Sequence, residues 1–175
     1  SNPYAIVRCE NGVNRATAKN FLGRLTNIRL RQDTGEHAIT SITTVITDII
    51  ENRRINTELE PVTDYNIDQI YSKTINDVAT FLNVSVLQVK DDYIDTENAT
   101  IAAAAGKLNA IASILSGAKG SLTKEGFELS FKIIALTVIE VEGVYTIQDD
   151  NFIFILLRNS EIRQDLILNI KNIIS

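Results

Sequence analysis

The sequence predicts a mainly α fold: an irregular bundle of about five helices preceded by a short N-terminal β region. Three observations carry that reading. After residue 37, apolar residues recur mostly at three- and four-residue spacing, which puts them on one face of a helix. Alternation of apolar and polar residues, the mark of a half-buried strand, is concentrated before residue 35. Asn11-Gly12, Asp33-Thr-Gly35, Pro61, Gly117 and Gly120 stand between the periodic segments, and such residues end regular structure. The expected division is residues 1–35 as a short β region, ending or linking a preceding β-module, and residues 36–175 as the helical domain.

Within the β region, Tyr4-Ala-Ile-Val-Arg-Cys9 is rich in strand formers and runs into Asn11-Gly12, a turn signal. Leu25 to Arg31 sets Ile28 and Leu30 on one face and Arg29 and Arg31 on the other. Helical spacing then links Ile39, Ile42, Val45, Ile46, Ile49 and Ile50. The threonines and Ser41 in that segment lower its intrinsic helix propensity, so packing must hold it. Asp64 is the expected cap of a second helix carrying Ile67, Ile70, Tyr71, Ile75, Val78 and Leu82. Asn83 and Ser85 break that pattern before a short turn through Val89.

Asp95 or Thr96 is expected to cap a third helix reaching about Ser116, with Ile101, Ala105, Leu108, Ile111 and Leu115 on its face. Ala102, Gly106 and Ala110 recur every fourth residue, a smooth strip expected to let another backbone approach. Ser121 or Thr123 opens a fourth helix with Phe127, Phe131, Ile134 and Val138. Residues 138–147 allow strand or helix; helix to about Glu142 is preferred, because the apolar face continues in phase to Val141. Asp149 or Asp150 starts a helical turn through Leu157, and Ser160 is expected to cap a last helix with Leu166, Ile170 and Ile173 inward.

A chain of 175 residues with 45% hydrophobic content can bury a core without disulfides or metals. No uninterrupted apolar run approaches the roughly 18 residues of a membrane span. The single cysteine, Cys9, rules out an internal disulfide. The chain has no Met and begins Ser1-Asn2-Pro3, which reads as a non-native start and as a piece of a longer protein. The net charge of −5 is uneven: residues 1–32 hold six basic side chains against Glu10 alone, and the rest hold 11 basic against 21 acidic. The basic start is therefore expected to pair with the acidic body or with a neighbouring module. Binding of nucleic acid is not expected, because stacking aromatics are missing between Arg29 and Arg31.

Candidate chemistry is sparse. His37 is the one histidine, and no nucleophile elbow accompanies it, so a capping or surface place is expected. Cys9 lies in strand-like sequence, where a buried or half-buried structural thiol is the default. The acidic loop Asp91, Asp92, Asp95 and Glu97 is the candidate calcium site by its oxygen ligands, though it lacks the spacing and glycine of an EF-hand. Loop solvation and helix capping account for the same residues. Glu125, Glu128, Glu140 and Glu142 are spaced as solvated helix positions. No phosphate-binding glycine motif is present. No catalytic residue, cofactor or cofactor-binding residue is assigned.

Gly35-Glu-His-Ala-Ile-Thr-Ser-Ile-Thr-Thr-Val-Ile46 resembles a segment of helical modules in large modular surface proteins of bacteria, adhesin-like and accompanied by calcium-binding repeats, and of some viruses. Ser41 stands where that segment usually has proline. Phe21-Leu-Gly-Arg-Leu-Thr26, Ala79 to Val84, Asp91 to Asp95 and Ile101 to Leu115 resemble further parts of the module, so the likeness spans about residues 12–116. The resemblance implies a helical module following a β-module, in an extracellular, cell-surface or virion-surface protein. The expected function is a non-catalytic structural or binding module whose partners are neighbouring modules of the same chain and an unidentified protein or surface ligand. A membrane-active, toxin-like helical domain is the alternative; membrane insertion is not expected.

Overall fold

A computed structural model of the chain describes residues 3–10, 12–14, 19–20, 23–33, 38–56, 58–89, 98–118 and 123–160. Among the described residues four strands, β1 (Tyr4–Glu10), β2 (Val13–Asn14), β3 (Lys19–Asn20) and β4 (Arg24–Leu30), precede five helices. These are α1 (Ser41–Ile55), α2 (Ile67–Leu82), α3 (Ala99–Ala118), α4 (Lys124–Val141) and α5 (Asp150–Ser160), with one 3-10 turn at Val86–Gln88. The fold is mainly helical with an N-terminal antiparallel hairpin, as the periodicity predicts. His37, the acidic loop Asp91, Asp92, Asp95 and Glu97, and the expected last helix with Leu166, Ile170 and Ile173 lie outside the described residues.

β1 pairs antiparallel with β4, Tyr4 opposite Leu30 and Glu10 opposite Arg24, and β2 pairs with β3 beyond it. Beyond Glu10 the antiparallel pairing resumes at Val13. The inner face carries Tyr4, Ile28 and Leu30 into the same core as the helices. β4 lies on α1, and alternate β4 amides are spent on side chains: Thr26 donates to Thr44 Oγ1, Ile28 to Asn27 Oδ1 and Leu30 to Asp33 Oδ2. Occupying those donors closes this edge to a further strand.

α1 touches β4, α2, α3 and α4, so it is buried on almost every side. This explains its composition. Ile42, Val45, Ile46, Ile49 and Ile50 supply apolar contact, while Thr40, Thr43, Thr44 and Thr47 are buried too. Each hydroxyl is satisfied: Thr44 donates to Thr40 O, Thr47 to Thr43 O, and Thr43 to Thr26 O across to the hairpin. Thr40 and Thr43 also form a capping box. The same back-bonding to the carbonyl four residues earlier serves Thr74, Ser130, Thr137 and Ser160.

Three expected caps are corrected. Asp64 lies in the turn before α2, whose cap position is Asn66; the Asn66 side chain instead accepts from the Thr63 amide. At α3, Asn98 Oδ1 accepts from the Ile101 amide. Ser160 is the last residue of α5, its hydroxyl donating to Leu156 O. Thr123 does cap α4, accepting from the Gly126 amide. α4 runs to Val141, where Glu142 at φ 47° and Gly143 at φ 76° turn left-handed, a conformation that stops a right-handed helix.

The small-residue strip also reads differently. Ala104, Ala105 and Ala112 are the alanines of α3 that are buried. Gly106 is exposed, and a Cβ built there meets nothing within 4 Å. Four-residue spacing is common to a packed and an outward face, and the longer side chains Ile101, Leu108, Ile111 and Leu115 decide which one turns in. Gly106→Ala should therefore raise stability by about 0.5–1 kcal/mol through helix propensity, and Gly106→Leu should melt no lower than wild type. Ala112→Leu, at a fully buried site, should cost about 1–3 kcal/mol by overpacking. Thermal melts of the three variants test the assignment.

Candidate functional site: a polar pocket beneath the hairpin

The spacing of α1 sets two faces apart. Thr44, Thr47, Asp48 and Glu51 fall at three- and four-residue intervals, so they share a polar face beside the apolar one. Glu128, Phe131 and Lys132 do the same on α4. The sheet register adds Ile6 and Arg8 of β1 and Arg24 and Thr26 of β4, with Arg8 opposite Thr26. These residues line a pocket of about 160 Å³ between the inner face of the hairpin and helices α1 and α4.

Polar contacts frame the pocket. Tyr4 Oη donates to Glu51 Oε1 at 2.5 Å, and Arg54 donates to the same oxygen at 3.2 Å. Burial and this carboxylate neighbour push the Tyr4 phenol well above its usual range. Arg24 Nε sits 2.5 Å from Glu10 and 3.3 Å from Glu128, and Lys124 Nζ donates to Glu10 at 2.8 Å. The Lys124 hydrogen bond, with the Arg24 charge beside it, holds the Glu10 carboxyl below its ordinary value. The basic hairpin thus pairs with the acidic body at Arg24–Glu128 and at Arg31–Asp64, as the charge asymmetry predicts.

Inside the frame, satisfaction is incomplete. Among the described residues, four buried side-chain polar atoms make no aligned hydrogen bond: Arg24 Nε, Thr26 Oγ1, Glu128 Oε1 and Asn52 Oδ1, of which Arg24 Nε and Glu128 Oε1 still face each other as an ion pair. The first three belong to residues lining this pocket. Buried polar atoms are nearly always satisfied by protein or by ordered water. Asp48 shares the pocket, and burial pushes its carboxyl up to about 7; Glu51 and Glu128 reinforce the rise, and Lys132 opposes it. A carboxyl so placed exchanges its proton near neutral pH, and such perturbed groups gather where proteins bind or react.

A second pocket of about 180 Å³ lies among the end of α2, the start of α3 and residues 146–148. Its lining has one charged side chain, Lys107, and none of the unsatisfied polar atoms.

Sequence spacing alone gives no sign of Asp48 and places Glu128 among the solvated positions. Glu125, Glu140 and Glu142 are exposed as expected. Glu128 is partly buried and turned toward Arg24. The available signal was the four-residue polar face of α1, which is legible only once the hairpin register brings Arg24 and Thr26 over it. Cys9 is corrected too: its thiol is free and exposed, because Cys9 falls on the outer face of β1 opposite Leu25. Among the described residues no group of three His, Cys, Asp or Glu side chains is arranged to hold a metal ion. Comparison with protein-family models, with curated proteins and with solved structures found no match.

Proposed function

We propose that the chain is a non-catalytic structural or binding module of a larger cell-surface or virion-surface protein. The observation that carries this reading is the clasp between the entering hairpin and the helices. Tyr4–Glu51, Thr26–Thr43, Arg24–Glu128 and Lys124–Glu10 fasten β1 and β4 to α1 and α4. A module so fastened passes orientation from whatever precedes it into its own body, which suits a link in a long chain. In-frame deletion of the module from its parent tests this. Attachment or particle assembly should fall while any turnover by the parent stays unchanged per molecule; lost turnover with assembly intact overturns the proposal.

One observation favours the membrane-active alternative. Ala99–Gly117 of α3 is long and apolar enough to cross a membrane by length and composition, with a mean hydropathy of 1.3. Its apolar face is spent in the core, where Ile101, Leu108, Ile111 and Leu115 are at most 1% exposed, so membrane entry would require the bundle to open. Co-sedimentation with anionic phospholipid vesicles separates the two: the module should stay in the supernatant, and strong vesicle binding would reverse the preference.

A further inference from the structure

One side of α4 faces outward, and it is apolar in part. Leu129 is 50% exposed and Leu136 is 42% exposed. They stand seven residues apart, so they share a face, with the exposed Lys132 between them. α5 meets α4 at one end of this stripe. Arg158 pairs with Glu140, and Asn159 donates to Glu140 Oε2 at 3.0 Å and to Thr137 Oγ1 at 3.1 Å. As α5 advances from Arg158 to Asn159, contact moves back along α4 from Glu140 to Thr137. α5 therefore runs against α4, and the chain leaves it at Ser160 with Leu136, Lys132 and Leu129 still ahead.

We infer that this stripe is the docking site of the chain's own residues 161–175, laid antiparallel to α4 in the register that Arg158 and Glu140 begin. The sequence after Ser160 fits that occupant. Asn159 is turned to α4, and Ile162, Leu166, Ile170 and Ile173 follow it at intervals of three, seven, eleven and fourteen residues, the spacing of one helix face. In that register Ile162 falls at Leu136, and Leu166 and Ile170 straddle Leu129. Covering the two leucines removes apolar surface from water. Charge selects the same register. Asp165 stands seven residues after Arg158, and Lys132 stands eight before Glu140. Each is about two turns farther along the same flank, so the pair Asp165–Lys132 repeats Arg158–Glu140 with the signs reversed. Fifteen residues of helix span about 22 Å, enough to pass Leu136 and Leu129 and reach the start of α4. A second copy fits the stripe less well. Antiparallel pairing of two such stripes would bring Lys132 against Lys132 and Glu125 against Glu140, and like charges repel.

Disulfide trapping in the full chain tests the register. Cys9 is the single cysteine, so Cys9→Ser gives a thiol-free background. In it, Leu136→Cys with Ile162→Cys should link within one chain under mild oxidation, because facing positions bring the Cβ atoms within the roughly 3.5–4.5 Å that a disulfide needs. Leu136→Cys with Ile173→Cys, about three turns out of register, should stay unlinked. Amide hydrogen exchange in the unaltered chain tests the docking without new cysteines. Residues 164–173 should exchange at least about tenfold more slowly than a free peptide of the same sequence. Leu136→Asp should remove that protection while the amides of α1 keep theirs. Links that form only between chains would give the stripe to a second copy and overturn the proposal. So would equal linking of the two pairs, exchange of residues 164–173 at the free-peptide rate, or protection that Leu136→Asp leaves intact.

Discussion

Phe81→Ala should lower stability by about 3–5 kcal/mol, the cost of emptying a large, fully buried aromatic site. Phe81 is 0% exposed, and its ring packs against Phe152 with centroids 4.6 Å apart and planes tilted by 48°. The contact joins α2 to α5, and the Phe81 carbonyl also accepts from the Ile147 amide at 2.8 Å, which holds the connection between α4 and α5. Three parts of the chain therefore lose support at one position. For a domain of this size the loss corresponds to a fall of roughly 6–20 °C in melting temperature. Phe152→Ala should cost a similar amount, and the double variant should cost less than the two together by about 0.5–1.5 kcal/mol, the pair energy of a tilted aromatic contact. Additive losses would show that the rings act independently. A melting temperature unchanged by Phe81→Ala would mean that α2 and α5 do not pack as described.

The helical half of this fold is legible because its apolar residues are long and their spacing is unambiguous. Ile42, Val45, Ile46, Ile49 and Ile50 turn inward as their spacing predicts, and so do Ile70, Ile75, Val78 and Leu82. What spacing leaves open is polarity that packs. Thr43, Thr44 and Thr47 look like weak helix formers, yet they are buried because α1 meets the hairpin on that side. The hydroxyls of Thr43 and Thr44 meet a strand that lies 17 or 18 residues away in sequence, while that of Thr47 bonds within the helix. The α3 strip fails for a related reason. Alanine and glycine have too little surface to decide a face, so Gly106 faces out while Ala105, beside it in sequence, faces in.

The pocket is harder still to read because no single element contains it. Asp48 on α1 is an ordinary helix acid until β4 crosses above it and α4 brings Glu128 and Lys132 alongside. Charge asymmetry does point to the hairpin and helices as partners, and Arg24–Glu128 is one such pair. It does not distinguish a pair that closes an interface from one that borders a cavity. That difference comes from size: Thr26 and Thr44 are too short to fill the space that Arg24, Asp48 and Glu128 leave between the sheet and the helices.

Asp48→Asn should make the domain more stable at about pH 8 and change it little near pH 4, and the sign follows from the proton. Burial raises the folded-state value of Asp48 from 3.8 to about 7. Between those values the folded chain holds a proton that the unfolded chain has released, so stability falls as pH rises through the window. A rise of that size corresponds to at most about 4 kcal/mol, and solvent at the pocket mouth reduces this to about 1–2 kcal/mol. The charged groups around Asp48 face it from three sides: Glu51 on α1, Glu128 and Lys132 on α4, and Arg8 and Arg24 on the strands. Asparagine keeps the shape and cannot ionise, so it removes the penalty above neutrality while forgoing nothing where the acid is already protonated. Urea unfolding at intervals from about pH 4 to pH 8 should show the wild-type curve falling relative to that of the variant, with the divergence centred below 7. Lys132→Ala should steepen the fall, because the charge that favours the ionised carboxylate is gone. Parallel curves for wild type and Asp48→Asn would show that the carboxylate is already compensated within the pocket.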